Sequence, residues 1–320
     1  MSGALQASDI APGSDRGAEW LRGALGLDEG KTPFPWQIEL LRRFLKAEPV
    51  SALDIPTGLG KTAAMAVWLV ARALGASLPR RLVYVVDRRV VVDQATEVAG
   101  SLRAWVEREP AVANALGLDD RSLSISTLRG QHVDNREWLD DPSLPAIVVG
   151  TIDMIGSRLL FSGYGISSRM RAYHAGLLGA DTLVVLDEAH LVPAFEDLIL
   201  QIERGAKALG PTDPALRALL PGFAPLSLSA TGRQTGSTTL TLTDADRRNP
   251  TIWVGNVRLT FGEIVAGPIL LGRTRYLSQR RSIAPARSRH GAAGRTALSR
   301  SAAPMAFPTL RSSRNPVPSP

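Results

Sequence analysis

The sequence predicts a doubly wound α/β domain with a mostly parallel sheet, followed by a disordered basic tail. Three observations carry that expectation. Short apolar runs recur between residues 51 and 229, and helix-like stretches separate most of them, which is the alternation of a parallel sheet with its crossover helices. Several runs are apolar almost throughout, as in LVYVV, AIVV and TLVVL, as expected of strands covered on both faces. Past about Phe261 the periodicity stops, and Arg, Ser, Ala and Pro dominate; such a segment buries too little apolar surface to offset its ordering entropy.

The elements follow in order. Residues 1–32 are polar and irregular, apart from a short helix around Trp20–Leu25. A helix over Trp36–Lys46 precedes a strand at Ser51–Ile55, and a helix over Thr62–Leu74 follows it. A strand at Leu82–Val86 leads into a helix over Val90–Glu109, and further strands fall at Leu123–Ser126 and Ala146–Val149. Helices over Ile152–Leu160 and Arg169–Leu178 fill the gap before a strand at Thr182–Leu186. A helix over Leu191–Leu209 and a strand at Leu226–Ser229 complete the alternation. The organisation read from this is an N-terminal segment (1–32), a nucleotide-binding domain (33–235), a transition segment (236–263) and a tail (264–320).

Composition narrows the function classes. With 44% hydrophobic and 21% charged residues the chain is ordinary globular material, not collagen-like or wholly disordered. It has no cysteine, which excludes a disulfide scaffold and cysteine-based zinc or nucleophile chemistry. The longest apolar run, Ala63–Ala71, is too short for a bilayer, and the start lacks a secretory pattern; a cytoplasmic protein without membrane attachment is expected. The net charge of +7 comes from the tail. Residues 264–320 hold ten arginines and no Asp, Glu or Lys, leaving 27 basic against 30 acidic residues in the rest. The basic pI therefore does not describe the surface of the folded part.

In a doubly wound sheet, ligands bind beyond the carboxyl ends of the strands, and the motifs stand there. Asp54-Ile55-Pro56-Thr57-Gly58-Leu59-Gly60-Lys61-Thr62 follows an apolar strand and opens a helix, the context of a phosphate-binding loop. Gly58 and Gly60 allow the sharp turn that aims backbone N–H groups at phosphate oxygens. Lys61 is positioned to reach the β- and γ-phosphates of ATP, and the Thr62 hydroxyl to hold Mg2+. The general pattern has glycine where Ile55 stands. Downstream, an apolar strand ends in Asp187-Glu188-Ala189-His190: Asp187 suits magnesium and Glu188 suits polarising the attacking water. His190 by itself reads as a hydrogen-bonding residue, since no second ligand stands at metal spacing.

IPTGLGKT, LDEAH and LSLSAT (Leu226–Thr231), in this order and each at a strand end, resemble motifs I, II and III of superfamily 2 DEAH-type helicases. The resemblance implies a RecA-like domain that uses ATP and Mg2+ and binds nucleic acid. It makes Thr57 part of the nucleotide cradle, Gln37 in Phe34-Pro35-Trp36-Gln37 the reader of adenine, with Phe34 or Trp36 available to stack, and His190, Ser229 and Thr231 the link between nucleotide state and the nucleic-acid path. Arg88 and Arg89 after the second strand, and Thr151 after the fourth, take backbone-contact positions. More narrowly, YVVDRRVVVDQ, STLRGQ, GTIDMIGSRLLFSGYG and VVLDEAHL are similar to the CRISPR-associated helicase of type I antiviral interference systems, closest to subtype I-U. That family implies single-stranded DNA and a guide-RNA effector complex as partners.

The resemblance covers one motor domain, so a truncated protein is expected. The second RecA-like domain with its arginine finger is not legible; Gln279-Arg280-Arg281 lacks a strand–helix frame. The four histidines, His132, His174, His190 and His290, form no nuclease-like cluster. A lost reading frame after motif III accounts for the tail's composition; a natural nucleic-acid-binding tail is the rival. The alternative reading of the whole chain is an inert nucleotide- and nucleic-acid-binding fragment without motor activity.

Overall fold

The computed structural model describes residues 15–28, 31–56, 58–129, 132–133, 136–209, 212–213, 215–216, 222–230, 238–242, 252–254 and 257–259. The N-terminal fourteen residues, the tail, Thr57 and Thr231 lie outside the described residues. All described residues belong to the unit Met1–Leu270.

An eight-stranded sheet organises the fold. Its strands are β1 (Ala52–Asp54), β2 (Arg81–Val86), β3 (Ser124–Arg129), β4 (His132–Val133), β5 (Ala146–Thr151), β6 (Thr182–Leu186), β7 (Phe223–Ser229) and β8 (Thr239–Thr241), in the spatial order β4-β3-β5-β2-β6-β7-β1-β8. Seven strands are parallel, and only β4 runs antiparallel, on β3. A hairpin of β9 (Ile252–Val254) and β10 (Val257–Leu259) forms a separate two-stranded sheet.

The helices are α1 (Asp15–Ala24), α2 (Pro35–Leu45), α3 (Ala64–Ala73), α4 (Arg89–Arg108), α5 (Pro110–Ala115), α6 (Glu137–Asp140), α7 (Ile152–Leu159), α8 (Ser168–Gly179) and α9 (Pro193–Leu209). They cover both faces of the sheet, and strand alternation assigns each core. Leu82, Tyr84, Val86, Ile147, Val149, Leu183 and Val185 point into one core with α1 to α5. Val83, Val85, Ala146, Val148, Val184 and Leu186 point into the other with α7 to α9. This is why β2, β5 and β6 are apolar without alternation: each is buried at every position.

The expected doubly wound α/β class is therefore the observed one. The sheet extends past its expected end at Ser229. Thr239–Thr241, in the stretch read as a transition segment, pairs with β1 in parallel register as an edge strand. Only Leu240 of the three is buried, so its Thr-Leu-Thr pattern alternates where the central strands do not. The short α5, α6 and β4 also went unread; six residues or fewer carry too little periodicity to register.

Candidate nucleotide site at the carboxyl ends of the strands

Parallel strands place all their carboxyl ends on one edge, so residues distant in sequence converge there. β1 ends at Asp54, and the chain leaves through buried Ile55, whose backbone N–H donates to Ser229 O at 2.9 Å. This bond ties the start of the phosphate loop to the end of β7. Gly58 (φ 91°) and Gly60 (φ 68°) then turn the chain through the left-handed region. No atom crowds a Cβ at Gly60, so backbone torsion and not space selects glycine there. A 3-10 turn over Lys61–Ala63 runs into α3, leaving helix-start N–H groups available to an anion.

Two strands away, β6 ends at Leu186. The Asp187 N–H donates to Val85 O at 2.9 Å, which continues the β6–β2 pairing one residue further. Glu188 adopts the left-handed conformation (φ 48°, ψ 47°) and starts a second 3-10 turn, Ala189–Leu191. A non-glycine residue there is uncommon and is held by its surroundings. The hold is visible: Lys61 Nζ donates to Glu188 Oε1 at 2.7 Å, the Glu188 N–H donates to Asp187 Oδ1 at 3.0 Å, and His190 Nδ1 lies 3.3 Å from Glu188 Oε2. Lys61 is buried and Glu188 half-buried, so the pair is shielded from bulk water.

Asp187 is raised above the ordinary carboxylate range, first by burial, with Lys61 opposing and Glu188 reinforcing the shift. Behind it lies a residue that sequence reasoning missed. Tyr84 of β2 is 1% exposed, with Thr62 and Asp187 as the polar side chains at its hydroxyl. Its Oη is buried and completes no hydrogen bond. Burial, and then the negative charge of Asp187, keep the phenol protonated well above its usual range. The available signal was a hydroxyl inside an otherwise aliphatic strand.

The structure thus brings together Gly58, Gly60, Lys61, Thr62, Asp187, Glu188, His190 and Ser229. Arg88 and Arg89 are exposed at the end of β2, where Arg88 is the N-cap of α4. Thr151 ends β5, is buried, and accepts the Met154 N–H at 3.4 Å as the cap of α7; its side chain serves its own helix. Because β2 and β5 lie on the side of β6 away from β1, these three occupy one stretch of the edge and the phosphate-loop residues the other. Gln37 sits apart, on α2, which packs on α3 and β8. It is buried, and its Oε1 accepts the Phe34 N–H at 2.9 Å, closing a capping box. Trp36 is fully buried in the core, which corrects the expectation that it is free to stack on a ligand. Phe34 is only half-buried against that core.

The arrangement has two chemical capacities. The turn at Gly58–Gly60 and the Lys61 ammonium suit a polyphosphate. Thr62 and Asp187 supply hydroxyl and carboxylate oxygen, the donor set of a hard divalent cation, and a buried carboxylate with a raised pKa is a group that such a cation would stabilise.

These features define a RecA-like phosphate-loop domain, with an acidic pair opposite the loop lysine. The chain belongs to the DEAD/DEAH box helicase family, whose model matches residues 34–235; it is a superfamily 2 helicase motor domain. That family uses ATP, typically with Mg2+. Among solved structures it is similar to the Mycobacterium smegmatis helicase Lhr bound to ssDNA and AMP-PNP, at 21% identity and a TM-score of 0.46, over 70% of this chain and 27% of that one. It is also similar to the yeast DEAD-box splicing factor Prp28, at 16% identity and a TM-score of 0.45, over 74% and 48%. For the DUF1998 helicase MrfA bound to DNA the values are 16% and 0.43, over 67% and 26%. The chain spans between about a quarter and a half of these proteins. No curated protein sequence matches it. Among the described residues no helix is long and apolar enough to cross a membrane.

Proposed function

We propose that residues 33–235 bind and hydrolyse ATP as the first motor domain of a DNA helicase in a CRISPR-associated interference system. The observation that carries the ATPase part is the Lys61–Glu188 ion pair of 2.7 Å beside Asp187, which joins the phosphate-loop cation to the carboxylates of the opposite strand. On nucleotide binding, the N–H groups around Gly58 and Gly60, with Thr57, cradle the phosphates, and Lys61 exchanges Glu188 for phosphate oxygen. Thr62 and Asp187 would hold Mg2+, which would neutralise charge on the phosphates. Glu188, released from Lys61, accepts a proton from the attacking water as its oxygen bonds to the γ-phosphorus and the β–γ bridging oxygen departs with ADP.

Gln37 is the adenine reader through its amide group, since its Oε1 already serves Phe34. Arg88 and Arg89, with Thr151 at the start of α7, form the nucleic-acid stretch of the edge, and His190, Ser229 and Thr231 couple it to the nucleotide. DNA as substrate and a guide-RNA effector complex as partner rest on the resemblance of YVVDRRVVVDQ and GTIDMIGSRLLFSGYG to the CRISPR-associated helicases. Unwinding requires a second domain that closes on this edge. Without one, the same residues make a nucleotide- and nucleic-acid-binding module, the second reading.

The test is ATP hydrolysis by the purified chain, with and without single-stranded DNA, beside Lys61→Ala. DNA-stimulated hydrolysis that Lys61→Ala abolishes supports the motor reading. Nucleotide binding without stimulated turnover selects the binding module. Equal binding by Lys61→Ala and the wild type overturns both.

A further inference from the structure

We propose that Tyr84 is a positioning residue for the cation site, its hydroxyl accepting a hydrogen bond from Thr62 and donating one to Asp187 when the site is loaded. The inference rests on the ATPase reading above and extends it to a residue in the middle of the sheet.

The geometry narrows what Tyr84 does. β2 is the central strand between β5 and β6, and Tyr84 pairs with Val185 in register, two residues before Asp187. The Asp187 N–H is bonded to the carbonyl of Val85, the next residue along. The backbone of Asp187 is therefore fixed to the strand that carries Tyr84, and its Oδ1 is held by the Glu188 N–H at 3.0 Å. Thr62 approaches the same hydroxyl from the 3-10 turn after the phosphate loop. One phenol thus stands between the two oxygen donors that suit a cation, and each arrives from a different element.

The hydroxyl itself is the second observation. Every other residue of β2 from Leu82 to Val86 is aliphatic, and phenylalanine would fill the same space. Tyr84 instead buries a hydroxyl beside Thr62 and Asp187 that completes a hydrogen bond with neither, an unfavourable state for a polar group. A loaded site resolves it. Thr62 and Asp187, in holding a cation, would direct their lone pairs toward it. The Thr62 proton then needs an acceptor, and the rear of the Asp187 carboxylate needs a donor; Tyr84 Oη supplies both. Partners of this kind orient metal-holding oxygens, and their removal typically weakens metal binding ~10–100-fold.

The experiment compares Tyr84→Phe with wild type by titrating free Mg2+ against binding of a fluorescent ATP analogue, and by measuring analogue affinity in EDTA. The expected result is a Mg2+ half-saturation raised about 10-fold or more, with affinity in EDTA unchanged and apo melting temperature unchanged or higher. An unchanged Mg2+ half-saturation overturns the assignment and leaves Tyr84 as packing. A second measurement needs no variant: in a crystal structure of the wild-type chain with Mg2+ and a non-hydrolysable ATP analogue, Tyr84 Oη lies within hydrogen-bond distance of Asp187. A separation beyond about 3.5 Å overturns the proposal. If the wild type itself binds no nucleotide, the ATPase reading fails first and takes this one with it, an outcome distinct from a normal wild type and an indifferent Tyr84→Phe.

Discussion

Lys61 and Glu188 neutralise each other beside the phosphate loop, so nucleotide binding is an exchange of partners for the lysine. Removing the carboxylate's charge has two consequences of opposite sign. Glu188→Gln no longer competes for Lys61, so ATP binds more tightly than to wild type, while loss of the general base lowers turnover by about 10²–10⁴-fold. Equilibrium binding and single-turnover hydrolysis separate these effects; undiminished hydrolysis removes Glu188 from its proposed role. Lys61, Asp187 and Glu188 were legible in the sequence because strand ends, glycines and carboxylates stand at fixed spacing there. Tyr84 was not, since a phenol in an apolar run reads as an ordinary strand former. The cap formed by Gln37 was hidden for a different reason: a side chain that bonds the backbone three residues earlier leaves no mark beyond residue type.

At the level of elements, the helices from α2 onward that were expected were legible to within about two residues, because helical periodicity reflects which faces are buried, whereas α1 begins before its expected span and β3 and β7 run beyond theirs. What covers the second face of the sheet holds a conflict that periodicity does not reveal. Arg158 of α7 is 1% exposed; its Nη1 donates to Met154 O at 2.7 Å, while Nε and Nη2 are buried without a partner. Burial alone pushes its pKa down to about 10. His174 of α8 is buried edge-on to Trp138 of α6 at 5.1 Å, with its Nδ1 unpartnered. Burial first, then the charges of Arg158 and Arg136, hold its pKa down to about 4.

A buried charge without a carboxylate favours an apolar replacement, so Arg158→Met is expected to raise unfolding free energy by about 1–3 kcal/mol in urea titration at pH 7. The same titration repeated down to pH 4 reads His174. Its folded pKa lies below the unfolded value, so its neutral form contributes stability that is complete above about pH 6.5 and is lost as pH falls toward 4. His174→Phe flattens that decline. An unchanged or lower stability in Arg158→Met would show that the guanidinium has a partner in solution.

On the scale of the whole molecule, strand order decides which motifs meet. β7 lies between β1 and β6, and the backbone bond from Ile55 to Ser229 closes the gap between the phosphate loop and the strand that carries motif III. Sequence gave the motifs in chain order but not this adjacency, because a parallel sheet need not stack its strands in the order they are made. Nor did it show that β8 prolongs the sheet beyond β1. The Ile55–Ser229 bond also makes the site readable by isotope. The Ile55 amide is buried and bonded at the junction of two strands, so it exchanges with deuterium only when that junction opens. A nucleotide that tightens the loop slows this single amide, and one that pulls the loop from β7 speeds it. Exchange at Ile55, followed with ADP and then with an ATP analogue, therefore reports the sign of the mechanical coupling between nucleotide and sheet before any second domain is present.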